Sequence, residues 1–126
     1  MRKHILVIDD DPGVLTLFTR ILTNGGYSVT SERSGAGAND ALERQAFDLV
    51  ILDLSMPGGT DGFELLKSMR AHRPKLPVLV ISGYMQGPLL RASELVGATS
   101  SLSKAEAAEN LLPVVNRLLS KKAHNN

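Results

Sequence analysis

Four short apolar runs in this chain each end in a polar residue of a different kind: Ile5 to Ile8 into Asp9 and Asp10, Leu49 to Leu52 into Asp53, Val78 to Ile81 into Ser82, and Leu102 shortly before Lys104. With Tyr27 to Ser31 they alternate with segments of helical spacing, the rhythm of βαβ units and a parallel sheet. Strands are predicted at His4 to Ile8, Tyr27 to Ser31, Asp48 to Asp53, Pro77 to Ser82 and, more weakly patterned, Ala98 to Ser103. Ile5 to Ile8 and Val78 to Ile81 are apolar without alternation, as interior strands covered by helices on both faces should be.

Between these runs the pattern predicts five helices. Asp11-Pro12 supplies a cap and a proline in the first turn. Val14, Leu15, Leu17, Phe18, Ile21 and Leu22 then recur at helical spacing until Asn24-Gly25-Gly26. A second helix is expected from Ala36 to Gln45, with a small-residue inner face. The third runs from Gly62 to His72 behind Asp61 as its cap. The fourth is expected to be short or mobile, because Gly83, Gly87 and Pro88 crowd its start and only Leu89 to Val96 is continuous. The last spans Glu106 to Lys121 but contains Pro113, so either it kinks or its regular part begins near Leu112.

Composition narrows the class. A chain of 126 residues suits one domain, read here as residues 1–121 with a frayed polar tail at 122–126. Fourteen basic against thirteen acidic side chains leave no field for nucleic acid or lipid, so no direct nucleic acid binding is expected. The absence of cysteine rules out disulfides and thiolate chemistry. An N-terminal apolar run of this length, stopped by three aspartates, is neither a leader nor a membrane span. A cytoplasmic domain with no membrane association is the resulting expectation.

If the runs are neighbouring parallel strands, their carboxyl ends lie along one sheet edge, where open α/β folds place ligands. Asp9, Asp10, Asp53, Ser82 and Lys104 would then converge. Asp11 is read as a helix cap. Several like charges packed together repel, and a divalent cation relieves that repulsion. Asp10 and Asp53 offer hard oxygens suited to Mg2+, with Asp9 serving through a water. Asp53 can also act as a nucleophile towards phosphorus. Taken singly, a strand-end aspartate is more often a cap or turn residue, Ser82 a turn and Lys104 a surface charge. Together they match what a transferring phosphoryl group requires: a metal, a hydroxyl donor and a cation.

The whole chain resembles a receiver domain of the two-component response-regulator family. Ile5-Leu6-Val7-Ile8-Asp9-Asp10-Asp11 matches the opening strand and acidic pair, and Leu52-Asp53-Leu54-Ser55-Met56-Pro57 the phosphoacceptor segment. Asp61-Gly62-Phe63-Glu64-Leu65-Leu66, Ile81-Ser82-Gly83-Tyr84 and Lys104 complete the set. The resemblance implies a flavodoxin-like three-layer α/β/α fold, with a five-stranded parallel sheet of order 2-1-3-4-5 and five helices. It implies that Asp53 is phosphorylated by a histidine kinase or histidine phosphotransfer protein. It also implies that Asp10, Asp53 and the Ser55 carbonyl ligate Mg2+ with Asp9 assisting, and that Ser82 and Lys104 contact the phosphoryl oxygens. The output would be altered binding of an unidentified partner, making the chain a signalling phosphoacceptor and not a metabolic enzyme.

Three positions depart from the family pattern. The aromatic switch residue three places before the lysine is replaced by Ser101. The proline that commonly follows the lysine, often after a cis bond, is replaced by Ala105, so Lys104-Ala105 is either strained cis or trans with a different aim for the lysine. The loop from Met56 to Gly62 is one residue longer than usual. Input chemistry is therefore expected to be intact, with readout passing through Gly83 to Gly87 or through the Pro57 to Asp61 loop. Tyr84 either shields the acyl phosphate or is an exposed loop aromatic. Two rival readings are a phosphorylation-independent pseudo-receiver binding module and a small aspartate-nucleophile phosphohydrolase.

Overall fold

The computed structural model describes residues 2–54, 62–83 and 87–124, and for 87–91 and 121–124 the description is of the backbone. Five strands and five helices alternate along the chain: β1 His4–Ile8, α1 Pro12–Asn24, β2 Ser28–Glu32, α2 Gly35–Arg44, β3 Leu49–Asp53, α3 Gly62–His72, β4 Val78–Ser82, α4 Gly87–Val96, β5 Ser100–Ser103 and α5 Lys104–His124. The strands form one parallel sheet in the order β2-β1-β3-β4-β5. This is the flavodoxin-like arrangement, and the order reverses between β1 and β3, where such sheets open a crevice.

The unalternating runs become interior strands because helices cover both faces. Every residue of β3 and β4 is buried, as are Ile5 to Ile8 of β1. Alternate side chains feed two cores. Leu6, Ile8, Val50, Leu52, Val78 and Val80 pack with Leu65, Leu66 and Met69 of α3 and with Ala38, Ala41 and Leu42 of α2. Ile5, Val7, Leu49, Ile51, Leu79 and Ile81 pack with Leu15, Phe18 and Leu22 of α1 and with Ala107, Leu111, Val115 and Leu119 of α5. Polar strand ends are thereby forced to the two edges of the sheet.

Boundaries differ from the sequence pattern in instructive places. β5 starts at Ser100 instead of Ala98, because Gly97, at φ +127°, ends α4 in a left-handed turn that Ala98 and Thr99 complete. The Gly97 and Ala98 amides both donate to the Ser93 carbonyl, and the Thr99 hydroxyl accepts from the Val78 amide. α4 begins at Gly87 and spans ten residues. α5 begins at Lys104 and runs through Pro113 to His124, so it starts well before Leu112 and extends past Lys121. Pro113 leaves the Glu109 carbonyl without its helical partner, and both residues are exposed, so water can supply the bond.

Candidate functional site

The sheet register sets the site. Ile8 pairs with Leu52, so Asp9 and Asp53 each follow directly on adjacent strands. Asp53 pairs with Ile81, which places Ser82 one step further on, and Ser82 pairs with Ser103, which places Lys104 next to it. Asp9, Asp53 and Ser82 are each at most 2% exposed. Burying two carboxylates side by side is costly unless a cation joins them. Lys104 Nζ lies 3.3 Å from Asp9 Oδ2 and 3.4 Å from Asp53 Oδ2, bridging the pair.

Asp10 is half-buried and completes a cluster with Asp9 and Asp53, one carboxylate oxygen from each lying within 4.8 Å of the others. Its backbone carbonyl accepts from Arg33 Nε at 3.3 Å and Nη2 at 3.2 Å. Asp9 Oδ1 accepts from the Asp11 amide at 2.9 Å. Asp9 Oδ2 is buried and has the Lys104 ion pair but no hydrogen bond. Asp11 is the cap of α1, its Oδ1 accepting from the Gly13 amide at 2.8 Å. The acidic run thus divides as its chemistry requires: one carboxylate serves the helix and two serve the edge.

Electrostatics follow from this packing. Burial pushes the Asp9 carboxyl up to about 6, helped by Asp53 and opposed by the Asp11 amide and Lys104. Burial also works against the Lys104 ammonium, but the carboxylates of Asp53 and Asp9 outweigh it and raise its pKa above the ordinary lysine value. Two glycines give the site its clearance. A Cβ at Gly62 would stand 2.7 Å from Leu54 Cα, so glycine lets the start of α3 approach the backbone just beyond Asp53. A Cβ at Gly83 would stand 3.3 Å from Lys104 Cδ. The lysine stem runs past that bare backbone.

The structure therefore brings together Asp9, Asp10, Asp53 and Lys104, with Ser82 on the adjoining register position. Ser55, Tyr84, Asp61 and the Pro57 to Asp61 loop lie outside the described residues, as does most of the Gly83 to Gly87 segment. No cis peptide bond occurs among the described residues. Lys104-Ala105 is trans, and Lys104 reaches the acidic pair from that geometry. Ser101 Oγ donates to Glu94 Oε2 on α4 at 2.9 Å, giving the switch position a polar tie to the neighbouring helix.

Sequence reasoning missed Arg33, Ser103 and Glu106. Nothing local marks Arg33, which reaches Asp10 only because the turn after β2 folds over the end of β1. Ser103 and Glu106 did carry a signal, the Ser-x-x-Glu of a capping box. A groove of about 630 Å³ beside α1, lined by Leu15, Thr16, Thr19 and Ser31 among others, contains none of the charged groups of the acidic edge.

A parallel α/β sheet with an acid cluster and a bridging lysine at its switch point makes this a flavodoxin-like protein with a charged crevice. Comparison with known proteins gives its family: residues 5–116 match the response regulator receiver domain, and the chain belongs to that family. It is 35% identical over 120 residues to the transcriptional regulatory protein GlrR of Escherichia coli K12, covering 95% of this chain and 27% of that protein. Sporulation initiation phosphotransferase F of Bacillus subtilis 168 is 27% identical, with 98% and 99% covered. A CheY-like receiver domain protein from Methanospirillum hungatei JF-1 superposes with a TM-score of 0.91 at 25% identity, over the full length of both chains. Among the described residues, no helix is long and apolar enough to cross a membrane.

Proposed function

We propose that the chain accepts a phosphoryl group on Asp53 from the phosphohistidine of a histidine kinase or histidine phosphotransfer protein, and that the resulting acyl phosphate switches the binding of an output protein. The observation carrying this reading is the Lys104 ammonium set 3.3 to 3.4 Å from both buried carboxylates at the switch point. The Asp53 oxygen attacks phosphorus, the P–N bond of the donor breaks, and the imidazole leaves with the electron pair and takes up a proton. Lys104 then follows the negative charge from the carboxylate to a phosphoryl oxygen, and the Ser82 hydroxyl donates to another. The new charge of about −1.5 to −2 at the sheet edge provides the switch.

The acid cluster fits a divalent cation. Three carboxylates within 4.8 Å, one with a buried oxygen lacking a hydrogen bond, are an oxygen set of the kind Mg2+ accepts. Asp10 and Asp53 would hold it with the Ser55 carbonyl, and Asp9 would assist. Bound there, the ion supplies neutralisation of the phosphoryl charge. A net charge of +1 favours a protein partner over nucleic acid.

The test adds Mg2+ with beryllofluoride or a small acyl phosphate and follows amide shifts in the parent and in Asp53→Asn. Shifts at the sheet edge in the parent, absent from Asp53→Asn, are expected. A parent that shows no Asp53-dependent change is instead a pseudo-receiver.

A further inference from the structure

Ser103 and Glu106 bracket the lysine of the site with a closed pair of interactions. Glu106 Oε1 accepts from the Ser103 amide at 3.2 Å and from the Ser103 hydroxyl at 2.8 Å, while Ser103 Oγ accepts from the Glu106 amide at 3.3 Å. Each residue thus satisfies a backbone donor that the first turn of α5 would otherwise leave open. Ser103 is also the last residue of β5, paired in register with Ser82. The strand therefore passes into the helix without a loop, and Lys104 is the first helical residue.

We propose that Ser103 and Glu106 are positioning residues for Lys104, fixing the exit of the chain from β5 so that the ammonium is held between Asp9 and Asp53. Where the receiver family commonly has a proline to aim this lysine, the chain has Ala105, and the reciprocal cap takes over that task. A lysine on a mobile loop would spread its four-carbon stem over many rotamers. Here the backbone on both sides of Lys104 is tied, and the stem passes Gly83, where a Cβ would come within 3.3 Å of Lys104 Cδ. The Glu106 carboxyl is exposed, yet its bonds to the Ser103 hydroxyl and amide lower its pKa below the ordinary value. The cap is therefore strongest with Glu106 ionised, next to the positive end of α5.

The use of this positioning rests on the phosphoacceptor reading, so two measurements are combined. The first is the rate of Asp53 phosphorylation by a small acyl phosphate with Mg2+. Ser103→Ala and Glu106→Ala are expected to slow it about fivefold, while Ser103→Thr and Glu106→Gln, which can rebuild the cap, restore it. Ser103→Ala adds nothing in a Lys104→Ala background, because a positioning residue acts only through the group it positions. The second is the side-chain 15N signal of the Lys104 ammonium in metal-free protein at fixed pH, which moves in the two alanine variants and stays in the threonine and glutamine variants.

Parental rates in both alanine variants would overturn the proposal, as would a Lys104 signal that does not move. An equal slowing by Ser103→Ala with and without Lys104 would reduce the cap to a stabiliser of α5. Failure of the phosphoacceptor reading shows separately, as a parent that takes no phosphate on Asp53, and the Lys104 signal then still decides the positioning. Glu106 is exposed, so its substitutions leave the core intact.

Discussion

Asp9 shows what the acidic edge costs the fold. Its carboxyl is pushed up to about 6 from an ordinary 3.8, so the folded chain binds this proton more tightly than the unfolded one. The sign follows from linkage: Asp9's contribution to stability is fully present below about pH 4 and is lost as the pH rises through about 6. Asp9→Asn should therefore stabilise the metal-free protein at pH 7 by about 1 to 3 kcal/mol, with a smaller gain at pH 4, in urea unfolding at both values. A gain that is the same at both values would show that the carboxylate is not strained by burial. The candidates visible from sequence, Asp9, Asp10, Asp53, Ser82 and Lys104, lie at a strand end or within two residues beyond one, because a strand end fixes position without any knowledge of tertiary contacts. Arg33 depends on a turn folding back over a neighbouring strand, and no spacing along the chain encodes that.

At the level of elements, the helices and strands were legible because two periodicities alternate along the chain, while the junctions were not. The start of α5 is the clearest case. Apolar spacing begins only at Ala107 and Leu111, yet the helix starts at Lys104 because side chains at Ser103 and Glu106 cap it. The start of α3 falls at Gly62 as the pattern predicts, but the reason for the glycine was not legible, since it answers to a backbone neighbour from another element. Gly62→Ala would place a methyl group 2.7 Å from Leu54 Cα and must shift α3 or the chain beyond Asp53. A loss of about 1 to 3 kcal/mol in chemical unfolding is expected, together with slower phosphorylation of Asp53. The tie from Ser101 to Glu94 is exposed, so Ser101→Ala should change stability by less than about 1 kcal/mol in the same assay. A larger loss would mean that β5 depends on α4 for its place.

For the whole molecule, the order 2-1-3-4-5 followed from the resemblance and not from periodicity, which cannot rank strands within a sheet. The cores on the two faces fix the strands whose ends carry Asp9 and Asp53 at the switch point. Mg2+ should therefore bind a preformed edge and raise the melting temperature. At a hundredfold excess over its dissociation constant the gain is about 2.7 kcal/mol. Chelation should reverse it, and Asp10→Asn should weaken it. A melting temperature indifferent to Mg2+ would count against the cation site.

Because Lys104 is the first residue of a 21-residue helix, the group that touches the site is also one end of a rod. Such a rod is about 30 Å long, and a tilt of about 5° at its first turn carries its far end by about 2 to 3 Å. Pro113 removes one rung near the middle, so the inner and outer halves need not swing by the same angle. A small adjustment of one ammonium at the sheet edge can thus be read as leverage at a distance, with gain set by helix length and divided at a single proline.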